Sequence, residues 1–515
     1  MAGVARRILR DYWLLLVFVA AKMILQYVVV NPVYELHRDE FLHLDQANHL
    51  AAGFISVPPF ISWVSSLIFI LGGSLFWIRF FPALFGALTM VFAWLLVDEL
   101  KGSVFAKVLV MCALLFSVFA RLNILYQPVS FDILAWTAVY YFLVRYIRTQ
   151  KPLWLFMLMI VFVAGFYNKY NIIFLFAGIV AGILLTGSRK IFFNRNLVFS
   201  AGIGLLLVLP NLIWQISHRF PVMHHMQVLS ETQLVNDTAT GFLADQAIYY
   251  SGSIVLVITA LLAFFFYKPF RPYRAVGISF ITVIVLNVLL KGKSYYASGL
   301  YPAMIVFGGV CIDNLLARWG KKTVITFLVT ANIAVFVLTF RLIFPVLSPQ
   351  QIMDRSSAFA KFGMLRWEDG QNHHLPQDFA DMLGWEEMAA KSLRAWKTIP
   401  VKQRPRTLVF CDNYGQTGAL NYYNRGKMSE AYSFSTDYIF WLPRLDTIEN
   451  VLLLGNRPPE EVIRMFNNFE KVDSTTNPYA REQGKGIYLL EGGNSEFTKF
   501  FYDETDRRIK DFDIF

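Results

Sequence analysis

Long apolar stretches recur along the first two thirds of the chain and stop near residue 346. A membrane-spanning helix needs about 20 mainly apolar residues. The pattern therefore predicts eleven spans, at 12–30, 79–97, 103–120, 131–147, 152–168, 170–186, 197–215, 247–267, 273–290, 297–315 and 323–345. A further stretch, 58–72, opens on two prolines and closes on two glycines, and its roughly 15 residues are short for a crossing.

Basic residues decide how these spans are oriented, because Lys and Arg concentrate in cytoplasmic loops. If 58–72 does not cross, sixteen basic residues fall in the short loops of one face and seven in those of the other. A crossing at 58–72 would put the basic N-terminus opposite every other basic loop. The sequence thus predicts that 58–72 lies on or dips into the outer surface, with the N-terminus inside and the tail outside.

The tail differs in texture from the rest of the chain. Its short apolar runs at 407–411, 450–455 and 487–492 are typical of strands, and helical patterns cover 376–396 and 458–469. Alternating helices and strands favour a small α/β domain. We therefore expect two domains, a membrane domain at 1–345 and an extracytoplasmic α/β domain at 346–515.

Composition and charge narrow the class of protein. Apolar residues make up 56% of the chain and charged residues 16%, against about 45–50% and about 25% in soluble domains, which excludes an ordinary soluble enzyme. The net charge of +11 lies in short loops, so it indicates topology and not nucleic-acid binding. Cys112 and Cys311 sit in apolar runs and Cys411 stands alone in the tail, so no disulfide within a domain and no Cys-rich zinc site is expected.

Candidate chemistry gathers on the predicted outer face. Each of these residues also has a structural explanation, as a helix cap, a snorkelling lysine or an interfacial aromatic. Together they supply carboxylates to act on a hydroxyl and cations to hold a phosphate, as a lipid-phosphate substrate requires. They are Arg38, Asp39 and Glu40 after the first span, Asp132 at the start of the fourth, Lys169 after the fifth, His224 and His225 after the seventh, and Lys293, Tyr295 and Tyr296 before the tenth.

Two further observations bear on alternatives. Lys22 lies in the middle of the first span, where it would pair with an acid inside the bundle or snorkel to the surface. The chain has no Walker A loop, no His-Glu-x-x-His and no Gly-x-Ser-x-Gly, so nucleotide-driven pumping has no support. A transporter or flippase of lipid-linked sugars is the alternative to an enzyme, since it needs the same cavity and cations but no catalytic base.

The order and spacing of several motifs carry a family resemblance. The chain resembles bacterial membrane glycosyltransferases of the protein O-mannosyltransferase superfamily, which includes family 39 and the related lipid A and lipopolysaccharide sugar transferases. The motifs are His37–Glu40, Ala47–Leu50, Val57–Phe60, Phe131–Leu134, Asn168–Tyr170, Asn211–Gln215 with Phe220 and Pro221, Gly292–Tyr296 with Tyr301 and Pro302, Leu375–Met382 with Gly384 and Trp385, and Asn413–Gly415.

The resemblance implies the GT-C fold, with about eleven transmembrane helices, outer-face juxtamembrane helices and a C-terminal α/β domain. It implies inverting transfer of a hexose or pentose from a polyprenyl-phosphate donor to an envelope acceptor, which is lipid A, lipopolysaccharide, another glycan or a protein. The acceptor lies on the outer face of the bacterial cytoplasmic membrane. No nucleotide sugar is needed at the site.

The resemblance also assigns roles. Asp39 matches the base or acceptor-positioning acid, with Glu40 beside it, and Asp132 matches the second acid. Lys169 matches the cationic position near the donor phosphate. The remaining donor positions fall on Arg38, on Lys293 with Tyr295 or Tyr296, and on His225, with His224 an equal candidate by spacing.

Two points stay open at this level. Related aminoarabinose transferases carry Glu-Lys where this chain has Ser56 and Val57, so substrate identity does not transfer. Family members differ in their use of a divalent cation. Mg²⁺ or Mn²⁺ on Asp39, Glu40 and Asp132 is therefore an open alternative to a metal-free site.

Overall fold

The computed structural model describes residues 2–232, 234–236, 238–316 and 318–512, so the last three residues of the predicted tail domain lie outside the described range. The α-helices are α1 (Ala2–Val28), α2 (Arg38–Asp45), α3 (Phe60–Ile70), α4 (Leu75–Glu99), α5 (Val104–Leu115), α6 (Val118–Leu122), α7 (Pro128–Thr149), α8 (Pro152–Asn168), α9 (Ile172–Leu184), α10 (Arg195–Ser217), α11 (Pro221–Thr232), α12 (Ala239–Tyr249), α13 (Ile254–Phe266), α14 (Arg274–Leu289), α15 (Tyr301–Leu315), α16 (Arg318–Ile343), α17 (Pro349–Met353), α18 (Ser356–Lys361), α19 (Gln377–Ala380), α20 (Trp385–Thr398), α21 (Tyr414–Tyr423), α22 (Glu460–Ile463) and α23 (Ser495–Asp511). The strands are β1 (Thr407–Cys411), β2 (Ala431–Ser433), β3 (Asn450–Gly455), β4 (Asn468–Ser474) and β5 (Gly486–Glu491).

These elements form two compact units. The helical unit consists of Met1–Val30, Leu71–Trp214 and Gln233–Val346. The mixed unit consists of Asn31–Ile70, Gln215–Thr232 and Leu347–Phe515. Two segments that the sequence places between predicted spans, 31–70 and 215–232, therefore fold in one unit with the C-terminal residues.

The helical unit contains the apolar helices that identify a membrane protein. Within the described residues, five helices are long and apolar enough to cross: Leu75–Glu99, Arg195–Ser217, Lys268–Leu289, Ser294–Leu315 and Gly320–Ile343. A sixth candidate is the pair α12 and α13, which is bent by 107° at its break. The predicted span 170–186 is helical only over Ile172–Leu184, about 20 Å of helix. Several apolar stretches thus form helices shorter than a hydrocarbon core, and the count of eleven spans stays a prediction.

The predicted span 103–120 is broken between α5 and α6. A broken helix frees backbone carbonyls, which need donors when no water is present. Lys22 Nζ donates to Phe119 O at 3.3 Å and Gln26 Nε2 to Ala120 O at 3.0 Å. Lys22 is 2% exposed, so its ammonium does not reach the surface. Its partner is a backbone carbonyl, and it forms no ion pair with an acid of the described residues. Both expectations for Lys22 were wrong, because the break supplies a carbonyl partner.

The helix α3 occupies most of the stretch 58–72. Its 11 residues extend about 16 Å, too short to cross a bilayer. One face buries Ile61 and Ile68, whereas Trp63, Leu67 and Ile70 are exposed on the other. An exposed face of large apolar side chains is typical of a helix that lies in a membrane interface.

The mixed unit is built on a five-stranded sheet in the order β2-β1-β3-β5-β4. Strand β1 is parallel to β2 and β3, whereas β5 is antiparallel to β3 and β4. The predicted strands at 407–411, 450–455 and 487–492 are confirmed as β1, β3 and β5. The predicted helix 458–469 was wrong beyond Ile463, because Asn468 begins β4.

Candidate active site

The first candidate acid, Asp39, lies at the start of α2. The His37 side chain accepts a hydrogen bond from the Asp39 backbone N–H at 3.2 Å, and the Glu40 carboxylate accepts one from the His37 N–H at 2.6 Å. This reciprocal capping box fixes the entry into a helix of only eight residues. Glu40 is fully buried and serves its own helix, whereas the Asp39 side chain stays 36% exposed.

The Asp39 carboxylate is surrounded by groups that favour its charged form. Tyr414 Oη donates to Asp39 Oδ1 at 2.7 Å, and His37 Nδ1 lies 3.7 Å from Asp39 Oδ2. Burial opposes the charge, but the imidazole of His37, the guanidinium of Arg38 and the Tyr414 hydroxyl outweigh it and lower the pKa of Asp39 to about 2. Asp39 is therefore an ionised carboxylate at neutral pH and a weak proton acceptor.

Tyr414 reaches Asp39 because α21 packs closely on α2. Asn413 caps α21 by accepting from the N–H groups of Gly415 and Gln416 at 3.0 and 3.1 Å. A Cβ at Gly418 would lie 2.8 Å from Phe41 Cβ, so glycine permits this approach. The Arg38 guanidinium lies 4.5 Å from the centre of the Tyr414 ring, and its Nε is buried with no hydrogen-bond partner among the described residues.

Asp381 links the start of α2 to a second part of the tail. Its carboxylate oxygens accept from Arg481 Nη1 at 3.1 and 3.2 Å, and Asp381 Oδ2 lies 3.7 Å from His37 Nε2. The Asp381 backbone carbonyl accepts from the Arg38 N–H at 3.0 Å. Asp381 is 1% exposed. Its contacts fix the backbone at the start of α2, which carries Arg38 and Asp39.

Asp437 holds the segment that follows α2. Its carboxylate accepts from the Ile55 N–H at 2.5 Å, from Gln46 Nε2 at 2.9 Å and from Ser56 Oγ at 3.2 Å. Burial raises the pKa of Asp437 to about 6, against the effect of these three donors. Ser56 thus contacts a buried acid of the tail.

The second candidate acid, Asp132, lies in the first two turns of α7 in the helical unit. Asn171 Nδ2 donates to Asp132 Oδ2 at 3.0 Å, and Asn168 Nδ2 donates to Pro128 O at 2.8 Å. Asp132 is 2% exposed and attracts the nearby charge of Lys169. The connection between α8 and α9 is therefore fastened to the start of α7 by two amide side chains.

Lys169 projects from this connection towards two aromatic rings. It has an extended backbone and is half-buried. Its Nζ lies 4.8 Å from the centre of the Tyr295 ring and 4.3 Å from that of Tyr296. Lys293 is close enough to repel it. Two lysines and two tyrosines thus form a cationic cluster of the kind that can bind an anion.

The two histidines on α11 differ in their surroundings. The His224 ring stacks on Phe512, with centroids 3.9 Å apart and planes 10° apart. His225 is half-buried on the same helix. Both histidines belong to the mixed unit. His224 and His225 therefore stay equal candidates for the predicted contact with the sugar donor.

The structure thus divides the predicted residues between the units. Arg38, Asp39, Glu40 and His225 lie in the mixed unit, and Asp132, Lys169, Lys293, Tyr295 and Tyr296 lie in the helical unit. Tyr414, Asp381 and Asn171 were not predicted as site residues. A signal existed for the first two, since both fall in tail motifs that carry the family resemblance.

A divalent cation on Asp39, Glu40 and Asp132 stays a prediction, and the Glu40 carboxylate already accepts from its own helix cap. Among the described residues, the group whose potential metal-ligand atoms all lie within 4.8 Å is Asp45, His49 and Glu430. Within that group, Asp45 accepts hydrogen bonds from three neighbouring side chains, and His49 Nε2 lies 2.6 Å from Glu430 Oε1.

Comparisons with known proteins bear on the fold and the family. Residues 56–214 match the family model for dolichyl-phosphate-mannose-protein mannosyltransferase. Among curated proteins, none is significantly similar in sequence. The crystal structure of ArnT from Cupriavidus metallidurans bound to undecaprenyl phosphate is similar with a TM-score of 0.64 and 14% identity, over 93% of this chain and 98% of that one. The apo state of that protein gives a TM-score of 0.62 at the same identity and coverage.

The likeness to ArnT extends through nearly the whole of both chains, and the family match covers the region from Ser56 to Trp214 that holds Asp132 and Lys169. The predicted resemblance is confirmed to this extent: residues 56–214 match the family model, and the chain shares the fold of ArnT, the GT-C fold that the resemblance implies.

Proposed function

We propose that the protein is an inverting glycosyltransferase that moves a hexose or pentose from a polyprenyl-phosphate donor to an envelope acceptor. The acceptor is a hydroxyl of lipid A, lipopolysaccharide, another glycan or a protein. The observation that carries the proposal is the ionised, partly exposed Asp39 carboxylate, held by Tyr414 and flanked by Arg38. The fold shared with ArnT, which was crystallised with undecaprenyl phosphate, supports a lipid-linked donor.

In the proposed reaction the acceptor hydroxyl attacks the anomeric carbon from the face opposite the phosphate. The new bond between carbon and acceptor oxygen forms as the bond to the phosphate oxygen breaks, and that electron pair leaves with the polyprenyl phosphate. Asp39 accepts a hydrogen bond from the hydroxyl and stabilises positive charge at the anomeric centre. Because its pKa is about 2, it takes up the proton only late, when bond formation has made the hydroxyl acidic.

The leaving phosphate is assigned to Lys169 and Lys293, with Tyr295 and Tyr296 lining its cavity. Lys169 is already desolvated in part and held over both rings, so little reorganisation is needed when the phosphate charge develops. Asp132 and Asn171 position the connection that carries Lys169. Arg38 and His225 are assigned as further donor contacts.

The membrane arrangement is part of the proposal. The bias of basic loops supports a cytoplasmic N-terminus and a domain 346–515 on the opposite side. The family resemblance supports the bacterial cytoplasmic membrane, which would make that side periplasmic. The apolar exposed face of α3 fits a helix lying in the outer interface. The site then faces the compartment in which envelope glycans are finished.

The test is an envelope glycan comparison by mass spectrometry between wild-type cells and cells that carry only Asp39→Asn, at matched membrane levels. The matched control is Asp369→Asn, the same change at a carboxylate of the tail that is 49% exposed. We expect Asp39→Asn to lose one defined sugar from one acceptor while the polyprenyl-phosphate donor accumulates. An unchanged profile would refute the role of Asp39. A transporter would tolerate Asp39→Asn but fail with Lys169→Ala.

A further inference from the structure

A polar cavity lies in the helical unit, away from Asp132. It has a volume of about 400 Å³ and is lined by Tyr12, Leu95, Asp98, Glu99, Lys107, Tyr141 and Arg145. Asp132 lies near the start of α7 and Arg145 near its end. Thirteen residues of helix correspond to about 20 Å. The cavity is therefore at the opposite end of α7 from the proposed phosphate site.

The charges around this cavity do not cancel. Lys107 Nζ lies 2.5 Å from Asp98 Oδ1, and Arg148 Nε lies 2.5 Å from Glu99 Oε1. Arg145 Nη1 is more distant, 3.8 Å from Glu99 Oε2. The lining itself holds two carboxylates and two cations, and Arg148, which lies outside the lining, pairs with Glu99. With Arg148 included, three cations offset two carboxylates, and Arg145 is the cation farthest from its acid.

Arg145 also has unused hydrogen-bonding capacity. Its guanidinium lies 4.1 Å from the centre of the Trp154 ring, and its Nη1 donates to the Tyr141 hydroxyl. Its Nε is buried and has no hydrogen-bond partner in the described part of the chain. The side chain as a whole is 32% exposed. A guanidinium that lies over an aromatic ring and keeps an unpaired donor can bind a phosphate oxygen once the neighbouring side chains move aside.

The surroundings match the boundary between headgroups and hydrocarbon. Tyr12 is 37% exposed and Trp154 is half-buried beside Arg145, and aromatic side chains of this kind collect at membrane interfaces. Leu95 contributes an apolar wall. Basic pockets between transmembrane helices bind anionic lipid headgroups, because net positive charge there meets phosphate at low dielectric.

We propose that this cavity binds the phosphodiester headgroup of an anionic phospholipid, such as phosphatidylglycerol, from the leaflet at this end of the bundle. Arg145 holds the phosphate, Lys107 adds charge, and the acyl chains leave along the apolar helix surface. This site is separate from the donor site and does not depend on the proposed transfer reaction.

The test is native mass spectrometry of the purified full chain in detergent, titrated with phosphatidylglycerol and, in parallel, with phosphatidylcholine. We expect one tightly held phosphatidylglycerol and an affinity loss of about tenfold or more in Arg145→Gln, from removal of a charge-assisted hydrogen bond. The matched control is Lys151→Gln, which removes one exposed positive charge beyond the end of α7. It should bind as the wild type does.

A second variant should raise, not lower, the affinity for phosphatidylglycerol. Asp98→Asn removes a carboxylate from the lining and releases Lys107, so phosphatidylglycerol should bind more tightly. This result stays decisive even if Arg145→Gln fails to fold. Equal affinity for phosphatidylcholine, equal losses in Arg145→Gln and Lys151→Gln, or weaker binding in Asp98→Asn would each overturn the proposal. Glycerol 3-phosphate binding as tightly as the lipid would show that the ligand is a free phosphate and not a phospholipid.

Discussion

The cluster around Asp39 and the cluster around Lys169 are built in different ways. Asp39 and Tyr414 are 375 positions apart in the sequence, whereas Asp132 and its amide partner Asn171 are 39 apart. The first cluster exists only when the C-terminal residues have folded onto the segment after α1. The second needs α7, α8, the short connection to α9 and the segment with Tyr295 and Tyr296, all within the helical unit. The Asp39 cluster therefore depends on contacts over a longer stretch of the chain than the Lys169 cluster.

The two clusters also differ in the charge they present. Asp39 is a carboxylate stabilised by donors, with part of its surface open to a neutral hydroxyl. Lys169 is a cation held over aromatic rings and balanced by a buried acid. In the proposed reaction the first acts on the group that arrives and the second on the group that leaves. Changes at the two clusters should thus affect different steps.

The largest effect is expected from Asp39→Asn. Transfer should fall by about 10²–10⁴-fold, as when a group that handles the reacting proton is lost. Affinity for undecaprenyl phosphate, measured with the purified variant in detergent, should stay as in the wild type, because the change does not touch the cationic pocket. Weakened lipid binding in this variant would contradict the division of roles.

Lys169→Gln should weaken lipid binding as well as transfer, unlike Asp39→Asn. We expect transfer to fall by about 10²–10³-fold, as when one preorganised donor to a developing charge is removed, together with weaker binding of undecaprenyl phosphate. Lys291→Gln, at an exposed lysine two residues before Lys293, is the control. If Lys169→Gln and Lys291→Gln weaken lipid binding equally, the phosphate is attracted by the net positive charge of the region and not by a specific contact with Lys169.

Gly418→Ala tests the long-range dependence of the Asp39 cluster. The added methyl would lie 2.8 Å from both Phe41 Cβ and Tyr438 Oη, so α21 must move away from α2 at a cost of about 1–3 kcal/mol. The melting temperature and the transfer activity should both fall. Gly202→Ala on α10, where a Cβ meets nothing within 4 Å, should leave both unchanged. An unaffected Gly418→Ala protein would show that the close packing is not needed.

Tyr414→Phe should have the smallest effect at neutral pH. The wild-type pKa of Asp39 is lowered to about 2, and the Tyr414 hydroxyl contributes to that shift. Removing it raises the pKa, so the acidic limb of the activity profile should move upward by about one pH unit for each 1.4 kcal/mol lost. Transfer measured between about pH 3 and 7 checks this, with the surface change Tyr479→Phe as control. An unmoved limb would mean that the hydroxyl does not tune Asp39.

The same contrast explains what the sequence could predict. Apolar runs revealed most helices and the strands β1, β3 and β5, because buried elements leave a continuous hydrophobic signal. The first two residues of strand β4 fell at the end of a predicted helix, and the rest of the strand was not predicted. It is an edge strand with mostly exposed positions, including Glu470 and Lys471, so it carries no such signal.

The candidate site was predictable only where its chemistry is local. Asp39, Asp132 and Lys169 stand out as polar residues at the ends of apolar stretches. Tyr414 and Asp381 fall in tail motifs that carry the family resemblance, but nothing in those motifs pairs them with Asp39, and Asn171 looks like a helix start. Their roles arise from tertiary contacts, which spacing along a chain does not encode.

The mixed unit also constrains the order of biosynthesis. At about 5–20 residues per second, the ribosome needs roughly 20–75 s to add the stretch between Asp39 and Tyr414. During that time residues 31–70 have left the ribosome without the partners that bury them, whereas the side chains around Lys169 are complete once Tyr296 has been made. The hydrogen bond from Tyr414 to Asp39 therefore forms only near the end of translation. A partly made chain can therefore form the cluster around Lys169 before Tyr414 is available to hold the Asp39 carboxylate.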